Sequence, residues 1–325
     1  MKNMNAENFF SQDLSKTHLH FVGIKGTGMT ALVEICVSRG AIITGSDIEE
    51  RFYTDEILEK LGIKPLLFNS DNITPDIDIV IYSSAYKLDK NPELIKAQQL
   101  KIPCILYSDA LGQISATSIS SGIAGVHGKT TTTGLTGTII KELNLPAQVL
   151  AGSAIKAFGN CTISIGHKYF VAETCEYQRH FMAFHPANII LTSVESDHQD
   201  FYPTFADIQN AFVDYGCLLP KNGNLIYCAD DKGAVGTIEL IKQKRNDINF
   251  IPYGFEAEGE YKILSSRCEN GHQYFTISQN PSFEYELQVP GIHNIRNSAA
   301  AIALTQVLCC DNGNVQKFND FDAEK

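Results

Sequence analysis

The stretch that most constrains this 325-residue chain is Gly125-Val126-His127-Gly128-Lys129-Thr130-Thr131-Thr132-Thr133, set between a short apolar run, Ile119 to Ala124, and a helix-compatible run, Thr130 to Leu143. Strand, glycine turn and helix in that order form the setting of a phosphate-binding loop. Glycines at 125 and 128 let the backbone turn tightly, so that successive N–H groups and the positive end of the new helix converge on one anion. Lys129 adds a mobile positive charge. The Thr130 hydroxyl suits the hard magnesium ion that accompanies a nucleoside triphosphate. Ile123 stands where the strict Gly-x-x-x-x-Gly-Lys-Ser/Thr pattern has its first glycine, so the loop is a shortened variant. A Gly-Lys-Thr triplet also occurs as an ordinary surface turn. The run of threonines at a helix start favours the phosphate reading, because Thr is poor inside helices and useful as a first-turn oxygen donor.

Upstream, His18 to Ile24 leads into Gly23-Ile24-Lys25-Gly26-Thr27-Gly28-Met29 and a helix-like Thr30 to Arg39. The spacing is Gly-x-x-Gly-x-Gly, not the Gly-x-Gly-x-x-Gly of dinucleotide enzymes, and a tight turn alone would account for it. Asp47, at the tip of the next strand, sits where such folds hydrogen-bond a ribose, with helix N-capping as the competing role. Alternating strands and helices continue through Ile77 to Tyr82, Asn91 to Leu100 and Ile102 to Tyr107, the pattern of a parallel sheet covered on both faces. Small polar residues from Gln113 to Gly122 mark a boundary. The fold class expected is therefore α/β: a Rossmann-like unit over residues 1–113, a central P-loop unit with a mostly parallel sheet over 114–310, and a tail over 311–325.

In the second unit, Tyr169 to Ala172 ends at Glu173, and Asn188 to Thr192 leads to Val194-Glu195-Ser196-Asp197-His198. Both clusters fall at the carboxyl edge of the sheet, where ligands bind in open α/β folds. Thr130, Glu173 and His198 would together offer magnesium a hydroxyl, a carboxylate and an imidazole, a set sufficient for an ion that keeps phosphates and waters. A structural role for His198 is the competing reading, with Asp197 and Asp200 as helix caps.

Charged residues make up 19% of the chain and hydrophobic ones 44%, and no apolar run is long enough to span a bilayer. Met1 to Lys16 reads as a polar leader without a signal-peptide core, which predicts a cytoplasmic protein with no membrane partner. A net charge of -11 argues against nucleic acid as a partner. The nine cysteines contain no C-x-x-C pair and read as reduced thiols.

The ordered motifs Gly23 to Met29, Gly45-Ser46-Asp47, Ser83-Ser84-Ala85, Gly125 to Thr133, Ala172 to Phe181, Asp197-His198-Gln199-Asp200, Asp230-Asp231 and Gly291-Ile292-His293-Asn294 together resemble the Mur ligase family. The resemblance implies an ATP- and Mg²⁺-dependent amide ligase of peptidoglycan-precursor synthesis, joining L-alanine to UDP-N-acetylmuramate through an acyl phosphate. It implies the sugar nucleotide at Gly26, Thr27, Gly28, Asp47 and Ser84. It likewise implies ATP at Gly125, His127, Gly128, Lys129, Thr130 and Thr131, with Asn294 and Asn297 facing adenine. Lys129, Glu173 and His198 are then the catalytic set, and Thr130, Glu173 and His198 the metal ligands. Lys25 and Gln178 depart from the common family pattern. The family also has a third domain, and the chain stops before it, so the two domains are expected to bind both nucleotides without forming the alanine amide at a useful rate. A ligase adding a preformed peptide, a non-catalytic nucleotide sensor and a dinucleotide-dependent dehydrogenase are the alternatives. The last fits worst, because it needs no Gly-Lys-Thr loop.

Overall fold

The structure, a computed structural model, describes residues 9–311 apart from 12, 156 and 160. Its first half is built from β1 (His18–Val22), α1 (Thr27–Ser38), β2 (Ile42–Asp47), α2 (Tyr53–Lys60), β3 (Leu66–Leu67), β4 (Ile79–Tyr82), α3 (Pro92–Gln99), β5 (Cys104–Leu106) and α4 (Tyr107–Ser115). The five strands pair in parallel in the order β3-β2-β1-β4-β5. The strand order reverses at β1, whose apolar residues Leu19, Phe21 and Val22 are fully buried. That reversal opens a crevice at the carboxyl ends of β1 and β4.

The second half carries β6 (Ile119–Ala124), α5 (Lys129–Glu142), β7 (Ala147–Leu150), β8 (Thr162–Ser164), β9 (Tyr169–Glu173), β10 (Asn188–Leu191), α6 (Phe205–Gly216), β11 (Asn224–Cys228), α7 (Lys232–Lys244), β12 (Asn249–Gly254), β13 (Tyr261–Glu269), β14 (His272–Ile277), β15 (Tyr285–Leu287) and α8 (Ile292–Asp311). One sheet joins the ten strands in the order β15-β14-β13-β12-β11-β10-β6-β9-β7-β8. It is parallel from β13 to β7, with antiparallel strands β14, β15 and β8 at its two ends. β6 lies between β10 and β9 and feeds the glycine loop into α5 at this sheet's own reversal of order.

The polar stretch from Gln113 to Gly122, where the sequence suggests a boundary, is itself regular structure: α4 runs through Gln113 to Ser115, and β6 follows as a buried central strand. Its serines are tolerated because each is bonded, Ser120 Oγ donating to Ser115 O at 2.5 Å and Ser121 Oγ accepting from Asn188 Nδ2 at 3.1 Å. The leader contributes Phe9, Phe10 and Leu14 to the core, each under 10% exposed, while residues 1–8 and 12 lie outside the described residues. Asp311 closes α8, and the rest of the expected tail, 312–325, lies outside the described residues. Among the described residues no helix is long and apolar enough to cross a membrane. Among the described residues, Cys36, Cys104, Cys161, Cys175, Cys217, Cys228, Cys268 and Cys310 are free thiols.

The two halves meet across α1 and the β7–β8 edge. Buried Arg39 donates through Nε and Nη2 to Gln148 Oε1 at 3.0 and 2.7 Å, and through Nη1 to Ser11 O and Thr117 Oγ1. Glu34 accepts from the Cys161 amide at 3.3 Å, and burial pushes its carboxyl up to about 7. On the other side of the joint, Gly112 of α4 abuts the 177–183 turn so closely that a Cβ there would lie 2.2 Å from Ala183 O.

Candidate functional site

The first glycine turn has Gly26 as the N-cap of α1 with no side-chain cap and no acidic residue in the first turn, leaving its leading N–H groups for an anion. Gly26, Thr27, Gly28, Ser84, Tyr107 and His180 are among the walls of a cavity of 170 Å³ at this end of the sheet. The Tyr107 ring closes over Gly28, where a Cβ would lie 2.9 Å from the phenol oxygen. Tyr53 donates to Thr27 Oγ1 at 2.8 Å.

Asp47 sits at the carboxyl end of β2, behind the first turn. It is 5% exposed and is not part of the cavity wall; Oδ2 accepts from Lys25 N at 2.7 Å and Oδ1 from Ile48 N at 2.8 Å. The Tyr86 hydroxyl also donates to Oδ1 at 3.3 Å, so the carboxylate helps to shape the turn. It does not cap a helix. Lys25 also points away from the cavity, its Nζ donating to Ile48 O and Glu50 O at 3.0 and 2.8 Å and pairing with Asp55 at 3.2 Å.

The second turn is held more stiffly. Gly125 and Gly128 have φ of +132° and +84°, and Thr192 Oγ1 and Asn297 Oδ1 lie where Cβ atoms would approach to 2.1 and 2.9 Å. Gly128 caps α5 without a side-chain bond, so its first-turn amides are open. The Lys129 Nζ is turned across the loop, donating to Gly125 O at 2.5 Å and to Glu176 Oε2 at 2.9 Å. Glu176, 2% exposed, also faces His198 Nε2 at 3.3 Å and accepts Tyr202 OH on its own carbonyl. Thr130 donates to Glu173 Oε2 at 3.0 Å, and the Gly152 amide to Glu173 Oε1 at 2.6 Å. Burial raises the Glu173 carboxyl above its ordinary value, against these two hydrogen bonds and the Lys129 charge, which lower it.

The expected metal set thus falls into two pairs joined through Lys129: Thr130 with Glu173, and His198 with Glu176. Glu176, Asp197 and His198 present ligand atoms within 4.8 Å of one another. Hydroxyl, carboxylate and imidazole donors clustered beside a glycine cradle that no Cβ could enter fit Mg²⁺ and a polyphosphate. Asp197 and Asp200 do not cap α6, which carries its own Thr204–Asp207 capping box. His127 is exposed, with its amide bonded to Ser193 Oγ, and Thr131 is half-buried. Thr132 and Thr133 are fully buried, so only the first two threonines of the run front the site.

A second cavity, of 210 Å³, is lined by Lys129, Glu173, Leu150 and Phe181 and shares Tyr107, Ser108 and His180 with the first. A third, of 280 Å³, opens on the far side of the loop beside His127, Gly128, Asp231, His293, Arg296 and Asn297. Asn297 faces it. Asn294 does not line it; its amide donates to Pro290 O at 2.7 Å and its carbonyl accepts from Asn297 at 3.4 Å, so it braces Asn297.

Residues 18–118 match the Mur ligase family catalytic domain, and residues 123–305 match the Mur ligase middle domain. The chain belongs to the Mur ligase family. It is 43% identical over 295 residues to a UDP-N-acetylmuramate--L-alanine ligase of Treponema pallidum (strain Nichols), covering 90% of this chain and 61% of the relative. A Borrelia garinii protein of the same name is 36% identical, with 92% and 64% covered. The chain therefore spans less than two thirds of the length of these relatives. The crystal structure of a Thermotoga maritima UDP-N-acetylmuramate-alanine ligase superimposes with a TM-score of 0.72 at 27% identity, over 94% of this chain and 68% of that one. A Neisseria ligase named for UDP-N-acetylmuramate and a tripeptide shares the fold with a TM-score of 0.77 at 21% identity, over 89% and 93%.

In this Mur ligase chain, sequence reasoning missed Glu176, Tyr107, His180, His293 and Arg296. Glu176 lay inside a quoted motif, three residues past Glu173. Burial of an unexplained carboxylate beside the loop lysine was the signal, and only the fold reveals it.

Proposed function

We propose that the chain is the nucleotide-binding part of an ATP-dependent ligase that activates the lactyl carboxylate of UDP-N-acetylmuramate as an acyl phosphate and passes it to the amine of L-alanine. The observation that carries this is the shared wall of Tyr107, Ser108 and His180. A diphosphate seated at Gly26 to Gly28 has its acyl end directed through that opening toward Lys129 and Glu173. L-alanine is the preferred amine because relatives at 36–43% identity bear that name, whereas the peptide-adding enzyme is 21% identical.

ATP would lie on the amides of Gly125 to Thr131 with its base toward Asn297. Thr130, Glu173 and His198 would hold magnesium, which supplies charge neutralisation where two anions meet. Lys129, already poised over the loop, would exchange Glu176 for phosphate oxygens. Glu176 would keep His198 oriented. The apolar walls contributed by Leu150 and Phe181 would keep water from the activated carboxyl. The division of the chain near residue 113 and a cytoplasmic location belong to the same proposal.

Calorimetric titration of the chain tests it. UDP-N-acetylmuramate and MgATP should each bind at one site and both together. Binding of neither, competition between them, or NAD binding in their place would overturn the reading.

A further inference from the structure

We propose that His180 is a substrate-contacting residue, donating a hydrogen bond to the carboxylate-bearing group of the sugar nucleotide in the opening between the two cavities; this rests on the ligase reading above. The side chain lines both cavities. It is carried there by an unusual backbone: Gln178 and Arg179, neither a glycine, are consecutive left-handed residues at φ 50° and 59°. Such conformations persist only where surrounding contacts over-determine them, and they cluster at functional sites.

Here the restraints are plain. Arg179 Nη2 donates to Asp214 at 2.7 Å, Arg179 N to Glu176 O at 2.9 Å, and Phe181 N to Cys175 O at 2.9 Å. The Phe181 ring stacks on Tyr215 at 4.4 Å and 6°. From the other side α4 presses on Ala183 through Gly112. His180 is thereby fixed between Glu176, which holds the loop lysine, and Tyr107, which covers the first glycine turn.

The ring makes no hydrogen bond to any described residue, and its only recorded ring contact is edge-on to Tyr177 at 6.4 Å. Burial lowers its pKa, against the attraction of Asp109, so the neutral imidazole retains one N–H donor. Leu111, Leu150, Phe181 and Phe184 wall the second cavity. A carboxylate entering an apolar passage needs donors. Lys129 supplies them at the phosphate end, and His180 supplies one at the sugar end.

The test is calorimetry on the chain with two probes, UDP-N-acetylmuramate and UDP-N-acetylglucosamine, which lacks the lactyl carboxylate. His180→Ala should weaken the first probe roughly ten- to a hundredfold, the loss typical of a hydrogen bond to a charged group, and leave the second and the melting temperature unchanged. His180→Gln, which keeps a donor, should recover part of the loss. A merely structural role would weaken both probes together and lower the melting temperature. That result, or unchanged binding of UDP-N-acetylmuramate, overturns the inference while leaving the ligase reading standing. A wild-type chain that fails to bind UDP-N-acetylmuramate removes the ligase reading and the inference with it.

Discussion

At Gly23 to Gly28 and again at Gly125 to Gly128, a central parallel strand runs into a glycine turn and then a helix, yet the two turns recruit charge in opposite directions. Lys25 and Asp47 of the first are turned inward, onto backbone carbonyls and amides of the turn and its neighbours. What faces the first cavity is backbone, hydroxyls and aromatic rings. Lys129 and Glu173 of the second line the second cavity, with Thr130 bonded to Glu173 and Glu176 bonded to Lys129. On the proposed reading, the difference means that one topology would serve two kinds of phosphate site: a cradle that only positions, and one that also carries the cation and metal donors phosphoryl transfer requires.

The largest effect expected from breaking this contrast is on stability. An alanine at Gly125 would carry φ +132° with its Cβ 2.1 Å from Thr192 Oγ1 and 2.8 Å from Ser193 N. Gly125→Ala should cost about 3 kcal/mol or more. Gly26, with φ -57° and nothing nearer than 3.5 Å, should tolerate alanine at under about 1 kcal/mol. Urea unfolding midpoints decide this, and equal losses would mean that the two turns do not differ in rigidity.

The joint between the regions gives the next effect. Glu34 stays protonated in the folded chain up to about 7, whereas its ordinary value is 4.5. Its contribution to stability is therefore complete below pH 4.5 and is lost as pH rises through about 7. Glu34→Gln should flatten that slope and leave the variant about 2–3 kcal/mol more stable than wild type at pH 8. Parallel pH profiles would show that the buried carboxyl does not titrate with folding.

A smaller effect is expected at Asp47. Removing the acceptor of two buried amides in Asp47→Ala should cost about 1–2 kcal/mol and weaken UDP-N-acetylmuramate about tenfold through the loosened turn. MgATP binding should not change. Loss of both ligands alike would mean that the two turns are mechanically coupled.

Most of the sheet was legible in the sequence because buried parallel strands are continuous apolar runs; Ile119 to Ala124 and Tyr169 to Ala172 are placed within a residue of β6 and β9. The helices α4 and α7 were not. In α4, Gln113 to Ser115 belong to the small polar stretch that reads as a boundary, and the helix is anchored by Gly112, which admits Ala183. Before α7, Asp231 lines the third cavity and is also the N-cap, its Oδ1 accepting from Ala234 N and from Val194 N. Candidate residues announced by a local motif, Lys129 and Thr130, can be read from the sequence. Glu176, Tyr107 and His180 cannot, because their roles arise where α4, the 177–183 turn and the glycine loops meet, a proximity no spacing encodes.

The claim that the two turns hold different ligands is tested most directly by calorimetry on Lys129→Ala, with its melting curve recorded because Glu176 loses its lysine partner. Loss of the charge-assisted contacts should weaken MgATP about a hundredfold. UDP-N-acetylmuramate, which the proposed function seats at Gly26 to Gly28, should weaken less than about tenfold. Equal loss of both ligands in a folded variant, or undiminished MgATP affinity, would contradict the account.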